Sequence, residues 1–152
     1  MRAKLTAVAV FAAVTAIVAA AAAAGPSATK QRVAIEHNGS SFVLTPLTPG
    51  AVKADSGTAS FCCWSDRHTI RDGQAVEIND PQMTLSGKRG TLVAQNRIAW
   101  VDVPDGWSIF TGTWKVVRAT GQYARLVGGG RAAGVESPGG EKARFEGFLH
   151  RK

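Results

Sequence analysis

The chain has 152 residues, is 45% hydrophobic and 19% charged, and carries a formal net charge of +7 with two cysteines. This length suits one domain behind a leader. The basic residues, among them Arg67, Arg71, Lys88, Arg89, Arg97, Arg118 and Arg125, are scattered and belong to no nucleic-acid module. The charge therefore reads as a solvated surface and excludes a nucleic-acid partner.

Residues 1–24 place Arg2 and Lys4 before an alanine-rich apolar run that ends in small residues. This is the pattern of a cleaved secretory signal, with cleavage near Ala24, and it predicts a secreted or periplasmic protein. The run approaches the ~20 residues that span a bilayer. Alanine is only weakly apolar, however, and no basic stop-transfer cluster follows, so no stable membrane span is expected after cleavage. Loss of Arg2 and Lys4 lowers the charge from +7 to +5. Residues 25–30 read as a short tether and 31–152 as a single domain.

Within that domain, strand-like segments fall near 32–36, 41–45, 58–64, 75–78, 83–86, 91–103, 108–118, 126–135 and 142–149. Asn38-Gly39 and Asp72-Gly73 tolerate the positive φ of tight hairpin turns. Pro104-Asp105-Gly106 and Ser137-Pro138-Gly139-Gly140 suit slightly longer ones. No amphipathic helix of normal length is predicted. Alternation places Ala143, Phe145, Gly147 and Leu149 on one face of the last segment, and Phe110, Gly112, Trp114 and Val116 on one face of another. Bulky and very small residues along one wall suit a small barrel. Closure also removes open sheet edges. The expected fold is all-β, a closed antiparallel barrel of about eight strands.

Six glycines crowd into 112–135, a segment otherwise composed like two strands. Gly121 is expected to make a tight corner beside Tyr123. Gly128, Gly129 and Gly130 let the next strand coil, or let a neighbouring side chain lie on its backbone. No P-loop lysine or strand–loop–helix arrangement accompanies them, so they do not form a phosphate cradle.

The stretch from Ala119 to Gly130, Ala-Thr-Gly-Gln-Tyr-Ala-Arg-Leu-Val-Gly-Gly-Gly, resembles the Gly-Thr-Gly-x-(Tyr/Phe)-x-x-(Leu/Ala)-x-Gly-x-Gly corner of allene oxide cyclase-like and dirigent-like barrels. Ala119 stands where the first glycine is usual. The resemblance implies an eight-stranded antiparallel barrel. It implies no particular chemistry, since some of these barrels are enzymes and others guide reactions begun elsewhere. Gly112-Thr113-Trp114 is similar to the Gly-x-Trp of lipocalins, but that signature belongs on a first strand and this one lies late in the chain.

Chemistry-bearing residues are densest from Ser60 to His68. Cys62 and Cys63 are adjacent, and export would place them in an oxidising compartment. Three states are open to this possible redox pair: unpaired thiols on opposite faces, a vicinal disulfide at a distorted corner, or bonds to other molecules. Cys62, Cys63, Asp66 and His68 are metal-ligand types without metal-site spacing, and His37 and His150 add none, so no metal is expected. No Gly-x-Ser-x-Gly elbow occurs. Glu77, Asp80, Asp102 and Glu146 are conceivable paired carboxylates, read here as solvated charges.

Phe61, Trp64, Trp107 and Phe148 complete an aromatic set whose expected barrel-interior members are Trp100, Phe110, Trp114, Tyr123 and Phe145. Those five form either a packed core or the wall of a ligand pocket. The leading functional expectation is capture of a small apolar molecule without catalysis and without a cofactor. The alternatives are a cyclase or isomerase acting by confinement, and a structural envelope protein with a solid barrel.

Overall fold

A computed structural model describes residues 29–152. The signal-like segment and most of the tether lie outside the described residues. Ten strands follow in chain order: β1 Gln31–Asn38, β2 Ser41–Pro46, β3 Asp55–Cys62, β4 Asp66–Arg71, β5 Gln74–Asn79, β6 Gln82–Gly87, β7 Gly90–Val103, β8 Trp107–Ala119, β9 Leu126–Ser137 and β10 Gly140–Arg151. Among the described residues there is no α-helix, only a single 3-10 turn at Gly121–Tyr123. Eight strands form the wall in the order β7-β6-β3-β2-β1-β10-β9-β8, each antiparallel to its neighbours, and β8 pairs back onto β7. The chain is thus an all-β protein with a closed antiparallel barrel of eight strands.

The expected strand segments correspond to nine of the ten strands; β4 was not anticipated. The reason lies at Cys63, which takes φ +63 and breaks the two-residue alternation. β3 pairs with β6 up to Cys62↔Gln82, and β4 pairs with β5 from Asp66↔Asn79. Cys63, Trp64 and Ser65 therefore bulge opposite Asp80 and Pro81. Across that bulge, β3–β4 and β5–β6 make one long hairpin, turned at Asp72 and Gly73 with φ +51 and +79. β5 pairs with β7 only at Glu77, Ile78 and Asn79. The outer part of the hairpin consequently overhangs the barrel rim, with every residue of β4 exposed.

The interior is filled. Val33, Ile35, Phe42, Leu44, Met83, Leu85, Leu92, Phe145 and Leu149 are all buried to within 2%, each contributing roughly 1.5–3 kcal/mol relative to exposure. Trp114 and Phe110 join them from β8. On β9, Gly134 makes room for the Phe110 ring. Trp114 lies opposite Gly130, and its indole Nε1 reaches across to donate to the Glu146 carbonyl on β10 at 3.3 Å. A Cβ at Gly134 would strike the Phe110 ring.

The end of the barrel away from the hairpin is closed by polar ties. Gly121 has φ +60, and a Cβ there would lie 2.6 Å from the Arg89 carbonyl. The turn it makes inserts Tyr123, whose hydroxyl donates to Asp55 Oδ2 at 2.6 Å. The Gln31 side chain donates to the Thr48 and Val52 carbonyls and accepts from the Val52 amide, pinning the loop before β3.

Candidate functional site

At the opposite end, cross-strand register assembles the rim. Asp102 on β7 faces Ser108 on β8, Ser108 faces Glu136 on β9, and Glu136 faces Glu141 on β10. Directly paired residues share a face, so an acidic row runs along this side of the mouth. One row deeper, Glu77 of the overhanging hairpin pairs with Trp100, and Trp100 with Phe110. The rings of Trp100 and Phe110 lie 4.3 Å apart between centroids, tilted by 47°. Trp64 stands on the bulge, 50% exposed, with its ring 6.1 Å from Phe61.

These elements enclose an open cavity of about 440 Å³ lined by Trp64, Asp66, Glu77, Asn79, Trp100, Asp102, Ser108 and Glu136. Among the described residues, four acidic side chains stand in this lining and no basic one does. The cavity is therefore a local reversal of the molecule's net charge. Its polar groups are tied to one another. Asn79 Nδ2 donates to Glu77 Oε1 at 2.6 Å and to Asp66 Oδ1 at 3.3 Å, while Ser108 Oγ donates to Asp102 Oδ1 at 2.8 Å. Asn79 is only 4% exposed, and its Oδ1 has no hydrogen-bond partner among the described residues.

The five expected interior aromatics do not surround one cavity. Trp100 lines the mouth and Phe110 supports it, whereas Trp114 and Phe145 are packed in the core. Tyr123 belongs to the far end, beside a small cavity of about 140 Å³. Of the four conceivable paired carboxylates, Glu77 and Asp102 meet at the mouth. Asp80 is bound by Arg67 at 2.7 Å, and Glu146 by Arg144 and Arg32 on the outer wall. Those guanidiniums, Arg144 first, hold the Glu146 carboxyl below its usual range.

Asn79, Ser108 and Glu136 were not singled out from the sequence. Simple alternation along β9, running Ala132, Gly134, Glu136, puts Glu136 on the inner face and was the available signal. His37 continues the inward face of Val33 and Ile35. It is buried, with its ring edge-on to Phe61 at 5.1 Å and its Nδ1 3.5 Å from Glu141 Oε1.

Cys62 and Cys63 are both exposed and unbonded. Of the three states open to the pair, the structure shows unpaired thiols, and the φ of +63 at Cys63 interrupts the regular alternation between them. The Cys63 thiol hydrogen-bonded to Cys62, ahead of desolvation, raises the Cys62 pKa and so disfavours the reactive thiolate. No group of three His, Cys, Asp or Glu side chains is arranged to hold a metal among the described residues.

Two other concavities carry weaker arguments. A groove of about 570 Å³ at the far end includes Asp55, Lys88 and Arg89. Two of its charged groups are already engaged: Arg89 donates to the Ala54 carbonyl and to Gln122, and Asp55 accepts from four donors. An outer-wall hollow beside His37 is built around the Arg144–Glu36 ion pair, which neutralises itself. Compared with known proteins, the chain matches no family model, no curated protein and no solved structure.

Proposed function

We propose that this is an exported binding protein that captures a small organic molecule at the barrel mouth, between the rim and the overhanging hairpin, and performs no reaction on it. The observation that carries the reading is the location of usable space. The interior is packed with aliphatic and aromatic side chains, whereas the mouth keeps an open cavity with two indoles in its lining. Aromatic faces with a few placed polar groups are the usual furniture of a ligand site. The sequence pointed to an apolar ligand; the carboxylates beside Trp64 and Trp100 favour a polar group on that ligand as well. Export is supported by the signal-like pattern of residues 1–24. Kinship with allene oxide cyclase-like and dirigent-like barrels is supported by the corner motif around Gly121 and by the eight-stranded closure.

Native mass spectrometry of the protein purified from its own source tests the reading. The expected spectrum contains a small-molecule adduct that is lost in Trp100→Ala. An adduct unaffected by Trp100→Ala, or a protein that never carries one, would count against mouth capture.

A further inference from the structure

We propose that the end of the barrel opposite the mouth docks on an anionic phospholipid surface; the proposal does not rest on the capture reading. Basic residues that look scattered in the sequence are gathered there by the fold. Lys88 and Arg89 form the turn from β6 to β7, and Lys53 lies in the loop before β3. Arg118 stands near the end of β8, Arg125 follows the Gly121 corner, and Arg151 ends β10. All but Arg89 are exposed. Among the described residues, the one acidic side chain in these loops and strand ends is Asp55, which is buried and already accepts from four donors. Asp66, Asp72, Glu77, Asp102, Glu136 and Glu141 stand at the mouth or on its hairpin, so the molecule is electrically two-ended.

Hydrogen bonding orders the basic end without discharging it. Arg89 is held by the Ala54 carbonyl and the Gln122 side-chain oxygen, and Arg151 by the Gln122 and Ala124 carbonyls. Neutral oxygens of this kind orient a guanidinium and leave its charge uncompensated. Lys53, Lys88, Arg118 and Arg125 have no carboxylate within ion-pair distance among the described residues. Lys53, Arg89 and Arg151 meet around the cavity of about 140 Å³, whose lining includes Gln122 and Tyr123 and no acidic residue. Space of that size, walled by three cations, admits a headgroup phosphate.

Charge alone would suit any polyanion; an apolar belt beside it favours a bilayer. The Leu47 amide donates to the Arg32 carbonyl, Arg32 pairs with Phe148, Phe148 with Gly129, and Gly129 with Lys115. Along this outward row Leu47 is 39% and Phe148 49% exposed, and Val117, two residues beyond Lys115, is 52% exposed. Apolar side chains interleaved with cations match the boundary between headgroups and acyl chains. The chain also enters β1 at this end, through Thr29 and Lys30, so the alanine-rich run of residues 7–24 is joined to the barrel here. A barrel seated this way holds its mouth away from the lipid.

Flotation of the purified protein with phosphatidylcholine vesicles, with and without phosphatidylglycerol, tests the proposal. Binding is expected only with phosphatidylglycerol, and it is expected to fall as salt is raised. Lys53→Glu/Lys88→Glu/Arg118→Glu is expected to lower partitioning at least about a hundredfold, since each basic residue near such a surface contributes about fivefold. Arg71→Glu/Arg97→Glu/Lys142→Glu makes the same change in net charge elsewhere and is expected to float like wild type, with near-ultraviolet circular dichroism checking that both variants fold. Leu47→Ser/Phe148→Ser is expected to weaken binding while keeping the lipid preference. No flotation, equal flotation with neutral vesicles, or equal losses in the two triple variants overturns the proposal. Binding that ignores Leu47→Ser/Phe148→Ser, with heparin bound more tightly than vesicles, assigns this end to a soluble polyanion and overturns it as well.

Discussion

Asp55 collects four hydrogen bonds on one carboxylate: from the Tyr123 hydroxyl and from the Ser56, Lys88 and Arg89 amides. Burial is the largest single influence and opposes the charge. The bonds, led by Tyr123 and Arg89, together outweigh it and hold the carboxyl below its usual range. The phenol moves the other way: burial first, then the adjoining carboxylate, push Tyr123 well above its ordinary value. A depressed folded-state pKa stabilises the native state above the unfolded value of about 3.9, and that contribution is lost as pH falls through the folded one. Tyr123→Phe is expected to cost about 1–2 kcal/mol near neutrality and to shrink this acid-dependent loss. Urea melts at neutral and acid pH check it, and an unchanged pH dependence would contradict the assignment. Gly121→Ala places a side chain at φ +60 against the Arg89 backbone and is expected to cost on the order of 1 kcal/mol or more, read as a lower thermal midpoint. Gly121 was legible in the sequence, because a glycine after a long strand announces a corner. Asp55 was not, since its Tyr123 partner lies 68 residues away.

The long β3–β6 hairpin is two structures in one. Its inner half is barrel wall; its outer half is an overhang whose fourth strand contributes no buried residue. The sequence showed the Asp72-Gly73 turn and the strands on its far side, but it hid β4 behind the bulge at Cys63–Ser65. Asp66 and Asn79 are cross-strand partners, so an Asn-Gly turn of type I′ can close directly between them. Replacing residues 67–78 by Asn-Gly removes the buried Val76 with the overhang and is expected to lower the thermal midpoint while leaving the barrel folded. It removes Glu77 from the mouth and is expected to weaken ligand capture. Collapse of the whole fold would show that the overhang belongs to the core. Glycine spacing in β9 was readable as accommodation for neighbours, and the structure names them: the Phe110 ring at Gly134 and the Glu146–Gly147 backbone at Gly130. Trp114→Ala should then cost roughly 3–5 kcal/mol as a buried large-to-small change, measured by chemical denaturation.

For the molecule as a whole, alternation and turn chemistry were enough to read a closed barrel, because each strand reports its own inner face. The mouth was less legible for the opposite reason. Its eight lining residues come from β5, β7, β8, β9, the bulge and the start of β4, and only the register brings them together. The central claim is that the ligand enters the mouth while the interior stays closed. The most direct test follows the indole N–H resonances by two-dimensional NMR as the small molecule that co-purifies with the protein is titrated back into protein stripped of it. Trp64 and Trp100 are expected to shift in a saturable way, with Trp114 still. Movement of Trp114 ahead of them, or no saturable shift at either mouth indole, would contradict the account.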